Sequence, residues 1–215
     1  ATSQCGSADV LEALGAGLEL SGEQLARCLE EAGICFLFAP AHHQAMRYVV
    51  PVRRQLGVRT IFNILGPLTN PAGAPFQVVG VSDRRYLEPL ARALKLLGCE
   101  HGLIVHGQDG LDEITITAAT DIAELRAGEE DIRVYTVTPE EFGLARSEDA
   151  AALKGGDAGR NAEILRAVLG GEAGPRRDIV LLNAAAALYV AGLAAGMTAG
   201  AVLAAESIDS GVMTK

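Results

Sequence analysis

Apolar residues recur at three- and four-residue spacing over 8–16 (ADVLEALGA) and 22–32 (GEQLARCLEEA), which predicts two amphipathic helices, the second capped by Ser21. The period then changes. Ile34 to Ala39 (ICFLFA) is a continuous apolar run between Gly33 and Pro40, the pattern of a strand buried on both faces. Helical spacing returns over 41–56, with Pro51 expected to kink or split the segment. Residues 60–71 (TIFNILGPLTNP) are too rich in Gly, Pro and Asn for a long element, so a short helix and a shaped loop are expected there. Buried-strand patterns follow at Gln77–Val81, Gly102–His106 and Ile114–Thr117, with a helical pattern over 84–97 between the first two. Strand, helix, strand with short connections predicts a parallel sheet with right-handed crossovers, and so an α/β fold. Residues 121–126 and 132–137 read as a polar-edged pair around a turn at Gly128. After the Gly-rich link 154–159, helices are predicted over 159–169, 176–195 and 198–209. The middle one (DIVLLNAAAALYVAG) is nearly all small and apolar, which predicts burial against the sheet.

Composition narrows what such a fold can do. With 215 residues and 49% hydrophobic, the chain can bury one large core or two modest ones. A net charge of −9 argues against a polyanion partner, and 4% aromatics with no tryptophan weakens any case for base stacking. A small anion can still bind through a few placed Arg residues, backbone N–H groups and a cation. The four cysteines, Cys5, Cys28, Cys35 and Cys99, show no CxxC spacing and read as buried free thiols. No apolar run reaches the roughly 18 residues of a membrane span and no signal-peptide pattern opens the chain, so cytoplasm is the expected compartment.

His106-Gly-Gln-Asp-Gly-Leu-Asp-Glu113 follows a predicted buried strand, where parallel α/β sheets bind ligands. Asp112 and Glu113 are adjacent oxygen donors of the kind that hold magnesium with substrate phosphates, although an isolated pair of this kind more often belongs to a solvated acidic turn. Thr2-Ser3-Gln-Cys-Gly6-Ser7-Ala-Asp9 leads into a helix, which makes it an anion site or simply a cap by Ser7 or Asp9. Arg53 and Arg54 offer a fork for a carboxylate, although two arginines on a helix are usually surface charge. His42-His43 lacks a ligand partner at metal spacing, which speaks against zinc. Asn63 to Pro71 (NILGPLTNP) is the most distinctive string and reads as a shaped loop beside a site or as a structural turn.

GSADVLEALG, FAPAHH, VRRQLGVRTIFNILGPLTNP, HGQDGLDE, FGLAR, GGDAGRNAEILRAVL and VLLNAAAAL, in this order, resemble the anthranilate phosphoribosyltransferase family over nearly the whole chain. The resemblance implies a nucleoside-phosphorylase-like phosphoribosyltransferase fold, with a central, mostly parallel sheet flanked by helices and part of a small helical subdomain. Residues 1–39 and 74–215 would form the catalytic domain and 40–73 contribute to the subdomain. It assigns Ala1, Thr2, Ser3 and Ser7 to phosphoribosyl pyrophosphate, Arg53 and His43 to anthranilate, with Met46 beside His43 where an aromatic residue is expected, and Asp112 and Glu113 to Mg2+. It further implies a homodimer formed through the helical subdomain in the complete protein, and no nucleic-acid or membrane partner.

The activity so implied moves the 5-phosphoribosyl group from phosphoribosyl pyrophosphate to the amine of anthranilate in tryptophan biosynthesis. A pyrimidine nucleoside phosphorylase, which shares the fold and a similar GSAD segment, is the alternative enzyme. A non-catalytic paralogue that binds nucleic acid is the alternative of another class. Family members carry Gly-Thr-Gly-Gly-Asp, Asn-Val-Ser-Thr and Lys-His-Gly-Asn-Arg strings ahead of the region matched here. The expectation is therefore that these residues are the C-terminal part of the enzyme and are inactive alone.

Overall fold

The computed structural model describes residues 5–42 and 62–212. They gather into two compact units. One holds the described residues up to Leu65 with Gly155–Leu165, and the other holds Gly66–Lys154 with the chain from Arg166 onward.

In the first unit, α1 (Ser7–Ala13) and α2 (Gly22–Ala32) form where the apolar spacing places them. Ser21 caps α2 as expected: its hydroxyl accepts from the Gln24 N–H at 3.3 Å and Gln24 Oε1 accepts from the Ser21 N–H at 2.8 Å. The run from Ile34 is a correction. It is neither strand nor buried: residues 34–38 belong to no helix or strand, Ile34 is 74% exposed, and the short helix α3 (Ala39–His42) takes over at its end. An apolar run becomes a strand only where a neighbouring strand pairs with it, and the sheet of this chain is built from other strands. The expected helix over 41–56 lies, from His43 on, outside the described residues. Helix α4 (Phe62–Leu68) and the turn after it match the short helix and shaped loop expected for 60–71.

The second unit carries a four-stranded sheet in the order β1 (Phe76–Gly80), β2 (His101–Gly107), β3 (Thr120–Arg126), β4 (Arg133–Val137). The α/β class holds, with mixed pairing. Only β1 and β2, joined by a 3-10 turn (Arg84–Tyr86) and α5 (Leu87–Leu96), run parallel, with Phe76 opposite His101; β2–β3 and β3–β4 are antiparallel. Within Ile114–Thr117 the first three residues are buried as expected and Thr117 is half-buried, but the segment is no strand. Side chains, not a ladder, satisfy much of its backbone: Asn183 takes both the N–H and the carbonyl of Ile114, and Thr120 Oγ1 accepts from the Thr115 N–H at 3.0 Å. An apolar run reports burial, and its element type is decided by what meets the backbone.

Helices α6 (Ala158–Leu169), α7 (Pro175–Val190) and α8 (Met197–Asp209) close the chain. α7 packs on β1 and β2 and against α8, as its composition predicts, while α5 packs on β2 and β3. Leu103, Val105, Ile114, Ile116, Ile122 and Val137 share one core with Leu182, Ala186 and Val190 of α7. Side chains alternate along β2, so Ile104 turns to the opposite face and is also fully buried. The sheet is thus covered on both faces, and ligand access falls to its edges. Among the cysteines only Cys99 is buried, and burial raises its thiol pKa; Cys5, Cys28 and Cys35 are half-buried, so the expectation of four buried thiols holds for one. No described helix is long and apolar enough to cross a membrane.

Candidate functional site

The parallel strands β1 and β2 end at Gly80 and Gly107, and the loop 108–119 is built against those ends. A Cβ on Gly80 would stand 1.7 Å from the Asp112 carbonyl oxygen, and one on Gly107 would stand 2.5 Å from Asp109 Oδ1. Glycine at both positions lets the loop lie directly on the strand termini. The loop then closes on itself: the Gly107 N–H donates to the Leu111 carbonyl and the Gly110 N–H to the Gly107 carbonyl, both at 2.8 Å. Asp109 accepts from the Leu111 N–H at 3.1 Å and from the Thr115 and Thr117 hydroxyls. Burial pushes the Asp109 pKa up, but these hydrogen bonds outweigh it and the net shift is down.

Two more contacts fix the surroundings. His106 Nδ1 lies 2.8 Å from the Val81 carbonyl, which can only accept, so the proton sits on Nδ1. Gln108 Nε2 donates to Asp121 at 3.2 Å, and the same buried carboxylate accepts from Arg84 Nε at 2.8 Å and Thr136 Oγ1 at 2.7 Å. Burial raises the Asp121 pKa; the three donors and the Arg84 charge together bring it below the ordinary aspartate value.

Asp112 and Glu113 differ from these acids. Both are exposed, and neither carboxylate has a hydrogen-bond or ion-pair partner among the described residues. Packing around the Glu113 carboxyl raises its pKa, and the adjacent Asp112 charge adds to the shift. Two adjacent carboxylates on exposed residues, neither with a partner among the described residues, suit a hard divalent cation. Magnesium usually keeps several waters and is held by one or two carboxylates with substrate phosphates, which two adjacent carboxylates can provide for; no cluster of three or more metal-ligating side chains exists among the described residues.

Farther down β2, toward its start, a second acidic group has the opposite surroundings. Glu124 is 2% exposed and accepts from Arg126 Nε at 2.8 Å, Tyr189 OH at 2.9 Å, and His101 Nε2 and Tyr135 OH at 3.0 Å. Burial raises its pKa, and the four donors reverse the shift, so it stays below the ordinary glutamate value. Its partners respond in kind: burial, then the Glu124 charge and hydrogen bond, push the Tyr135 hydroxyl well up.

Of the residues singled out from sequence, Asp112 and Glu113 stand together on this loop. Ser7 is exposed at the first position of α1 in the other unit, where Asp9 accepts from the Gly6 N–H at 2.7 Å. Ala1, Thr2, Ser3, His43, Met46, Arg53 and Arg54 lie outside the described residues. Sequence reasoning missed Asn183, whose signal was one amide in the otherwise apolar VLLNAAAAL. It also missed Asn161, which donates to Cys5 Sγ at 2.9 Å and to the Gly156 carbonyl at 3.1 Å while accepting from the Gly156 N–H at 2.8 Å. That contact ties the segment before α1 to the first turn of α6, 156 residues apart in sequence.

The model of the glycosyl transferase family, α/β domain, matches residues 1–213. The chain is 57% identical over 210 residues to an anthranilate phosphoribosyltransferase of Trichlorobacter lovleyi, covering 98% of this chain and 59% of that protein. It is 57% identical over 212 residues to one of Rubrobacter xylanophilus, covering 98% and 61% respectively. Among solved structures, anthranilate phosphoribosyltransferase from Thermus thermophilus superposes with a TM-score of 0.91 at 47% identity, over 100% of this chain and 63% of that one. The Saccharomyces cerevisiae enzyme in complex with PRPP and Mg superposes with a TM-score of 0.88 at 27% identity, over 97% of this chain and 60% of that one. The chain therefore spans about three fifths of the length of the relatives it matches.

Proposed function

Because the chain belongs to the glycosyl transferase family of α/β domains, we propose that it is the C-terminal part of an enzyme that transfers the 5-phosphoribosyl group of phosphoribosyl pyrophosphate to the amine of anthranilate. The observation that carries the reading is the Asp112–Glu113 pair, without a hydrogen-bond or ion-pair partner among the described residues, on a closely packed loop at the ends of the parallel strands, in a chain alike over 98% of its length to an anthranilate phosphoribosyltransferase. Asp112 and Glu113 would hold a magnesium ion, which when bound offsets negative charge on the departing pyrophosphate. In the same proposal Ala1, Thr2, Ser3 and Ser7 bind phosphoribosyl pyrophosphate, and Arg53 and His43 bind anthranilate. Residues 40–73 belong to a small helical subdomain through which the whole protein pairs as a homodimer in the cytoplasm.

The reaction is a displacement at the anomeric carbon. The bond from that carbon to the pyrophosphate oxygen breaks, the bond to the anthranilate nitrogen forms, and the nitrogen then releases a proton to solvent. An aromatic amine is unprotonated at neutral pH, so its lone pair is free without a strong base. What the protein supplies is positioning and a place for the developing charge, which is why a preformed loop matters.

A substrate panel on the whole protein tests the reading. Anthranilate fluorescence should fall only when phosphoribosyl pyrophosphate and magnesium are both present, with no phosphorolysis of thymidine and no retention of single-stranded DNA. Thymidine cleavage without anthranilate consumption would transfer the protein to the phosphorylase branch, and DNA retention without either turnover to a binding role.

A further inference from the structure

We propose that Asn183 is the positioning residue of the cation loop, holding Asp112 and Glu113 at the strand ends through a two-way clamp on the next residue, Ile114. The proposal rests on the reading of those two carboxylates as magnesium ligands. Asn183 Oδ1 accepts from the Ile114 N–H at 3.0 Å, and its Nδ2 donates to the Ile114 carbonyl at 2.9 Å and to the Ile179 carbonyl of its own helix at 2.9 Å. Every hydrogen on that amide nitrogen is used, and the oxygen faces the only donor Ile114 has. The side chain thus does for one residue what a neighbouring strand would do for a ladder.

The clamp's location makes it more than core satisfaction. Ile114 is 1% exposed and belongs to the same apolar core as Leu182 and Ala186, which flank Asn183 on α7. Residue 113, one bond away, is exposed. The chain therefore passes from a fixed, buried residue to a solvent-facing ligand with no slack between them. Between the two carboxylate residues, the Asp112 carbonyl is pressed on Gly80. Two adjacent carboxylates with no hydrogen-bond or ion-pair partner among the described residues are thus aimed by what holds the backbone between and just after them. Groups that orient metal ligands in this way typically change metal affinity about 10- to 100-fold when removed.

The test uses the whole protein and Mn2+ as a paramagnetic probe for the magnesium position, with binding read from water-proton relaxation. Asn183→Ala leaves both Ile114 groups without their partner. Asn183→Asp keeps the shape but sets a second acceptor against the Ile114 carbonyl. Both should raise the Mn2+ dissociation constant about 10- to 100-fold. In turnover the magnesium concentration at half-maximal rate should rise with it, while the KM for anthranilate stays within about twofold. Tyr135→Phe, which weakens the core around Glu124 instead, should lower the melting temperature without moving the Mn2+ constant. If Asn183→Ala does not fold, the isosteric Asn183→Asp carries the measurement.

The Asp112→Asn/Glu113→Gln double variant separates the two possible failures. Loss of Mn2+ binding there, with wild-type affinity in both Asn183 variants, overturns the clamp and leaves the cation reading standing. Unchanged binding in the double variant removes the cation reading and the clamp proposal with it.

Discussion

Glu113 and Glu124 are acids near the two ends of one strand, and their surroundings have opposite character. Glu124, opposite Leu103 in the ladder, is sealed from water and accepts from four side chains that come from β2, β3, β4 and α7. Glu113, past the far end of β2, is exposed as a residue, has packing around its carboxyl and the Asp112 charge beside it, and has no hydrogen-bond or ion-pair partner among the described residues. One ionised group is met by four donors of its own chain, and the other is a ligand of the proposed cation. A buried charge met by four donors is structural, whereas an adjacent pair of carboxylates on exposed residues at the strand ends is what the proposed cation site requires.

The largest effect should come from breaking the saturated group. Glu124→Ala leaves Arg126 without its close carboxylate and strands two tyrosine hydroxyls and His101, which should cost about 3–5 kcal/mol, measured by urea unfolding. A loss below about 1 kcal/mol, the range of a surface ion pair, would show that the network is solvated and that the contrast between the two ends is false.

Next in size is the converse change. Asp112→Asn with Glu113→Gln should lower the magnesium-dependent rate of the whole protein by about 10²- to 10³-fold, as loss of a charge-stabilising group does. Unfolding should move by no more than about 0.5 kcal/mol, because neither carboxylate has a hydrogen-bond or ion-pair partner among the described residues. A stability loss as large as that of Glu124→Ala, with the magnesium titration unchanged, would return the pair to an ordinary acidic turn.

These two regions were unequally legible in the sequence, and the reason is the range of the interactions. The strand before His106, the glycines at 107 and 110 and the acids at 112 and 113 are local, so the pattern alone placed an acidic loop at a strand end. Ser21 and Gln24 are local too, and the cap formed as read. Glu124 could not be read because its donors stand up to 65 residues away, and Asn183 because its partner is 69 residues off. Ile114–Thr117 and Ile34–Ala39 failed for a related reason. Both runs are apolar enough for a buried strand, but strand formation depends on a partner that the run does not contain. At Ile114 an amide took the partner's place, and at Ile34 the run stayed exposed.

The smallest effect, and the finest test of the contrast, is the pH dependence of stability. Glu124 has its pKa lowered on folding, so its ionisation stabilises the fold above the unfolded value of about 4.3 and that contribution is lost as pH falls through the folded value. Glu113 has its pKa raised, first by packing and then by Asp112, so the sign reverses. In the range above about 4.3 the folded chain binds the Glu113 proton more readily than the unfolded chain, and acidification there adds stability. Solvent access at Glu113 screens the effect and keeps it small. Unfolding free energies measured from neutral pH downward should therefore separate the two acids by window and by sign. Subtracting the Glu113→Gln curve should leave a shallow gain on acidification above the ordinary glutamate pKa, and subtracting the Glu124→Gln curve a steeper loss below it. Saturating Mg2+ should erase the first feature, since a bound cation favours the ionised form, and leave the second untouched. Two difference curves of the same sign would mean that both carboxylates are held by the fold, and the distinction between a structural acid and an open ligand pair would be lost.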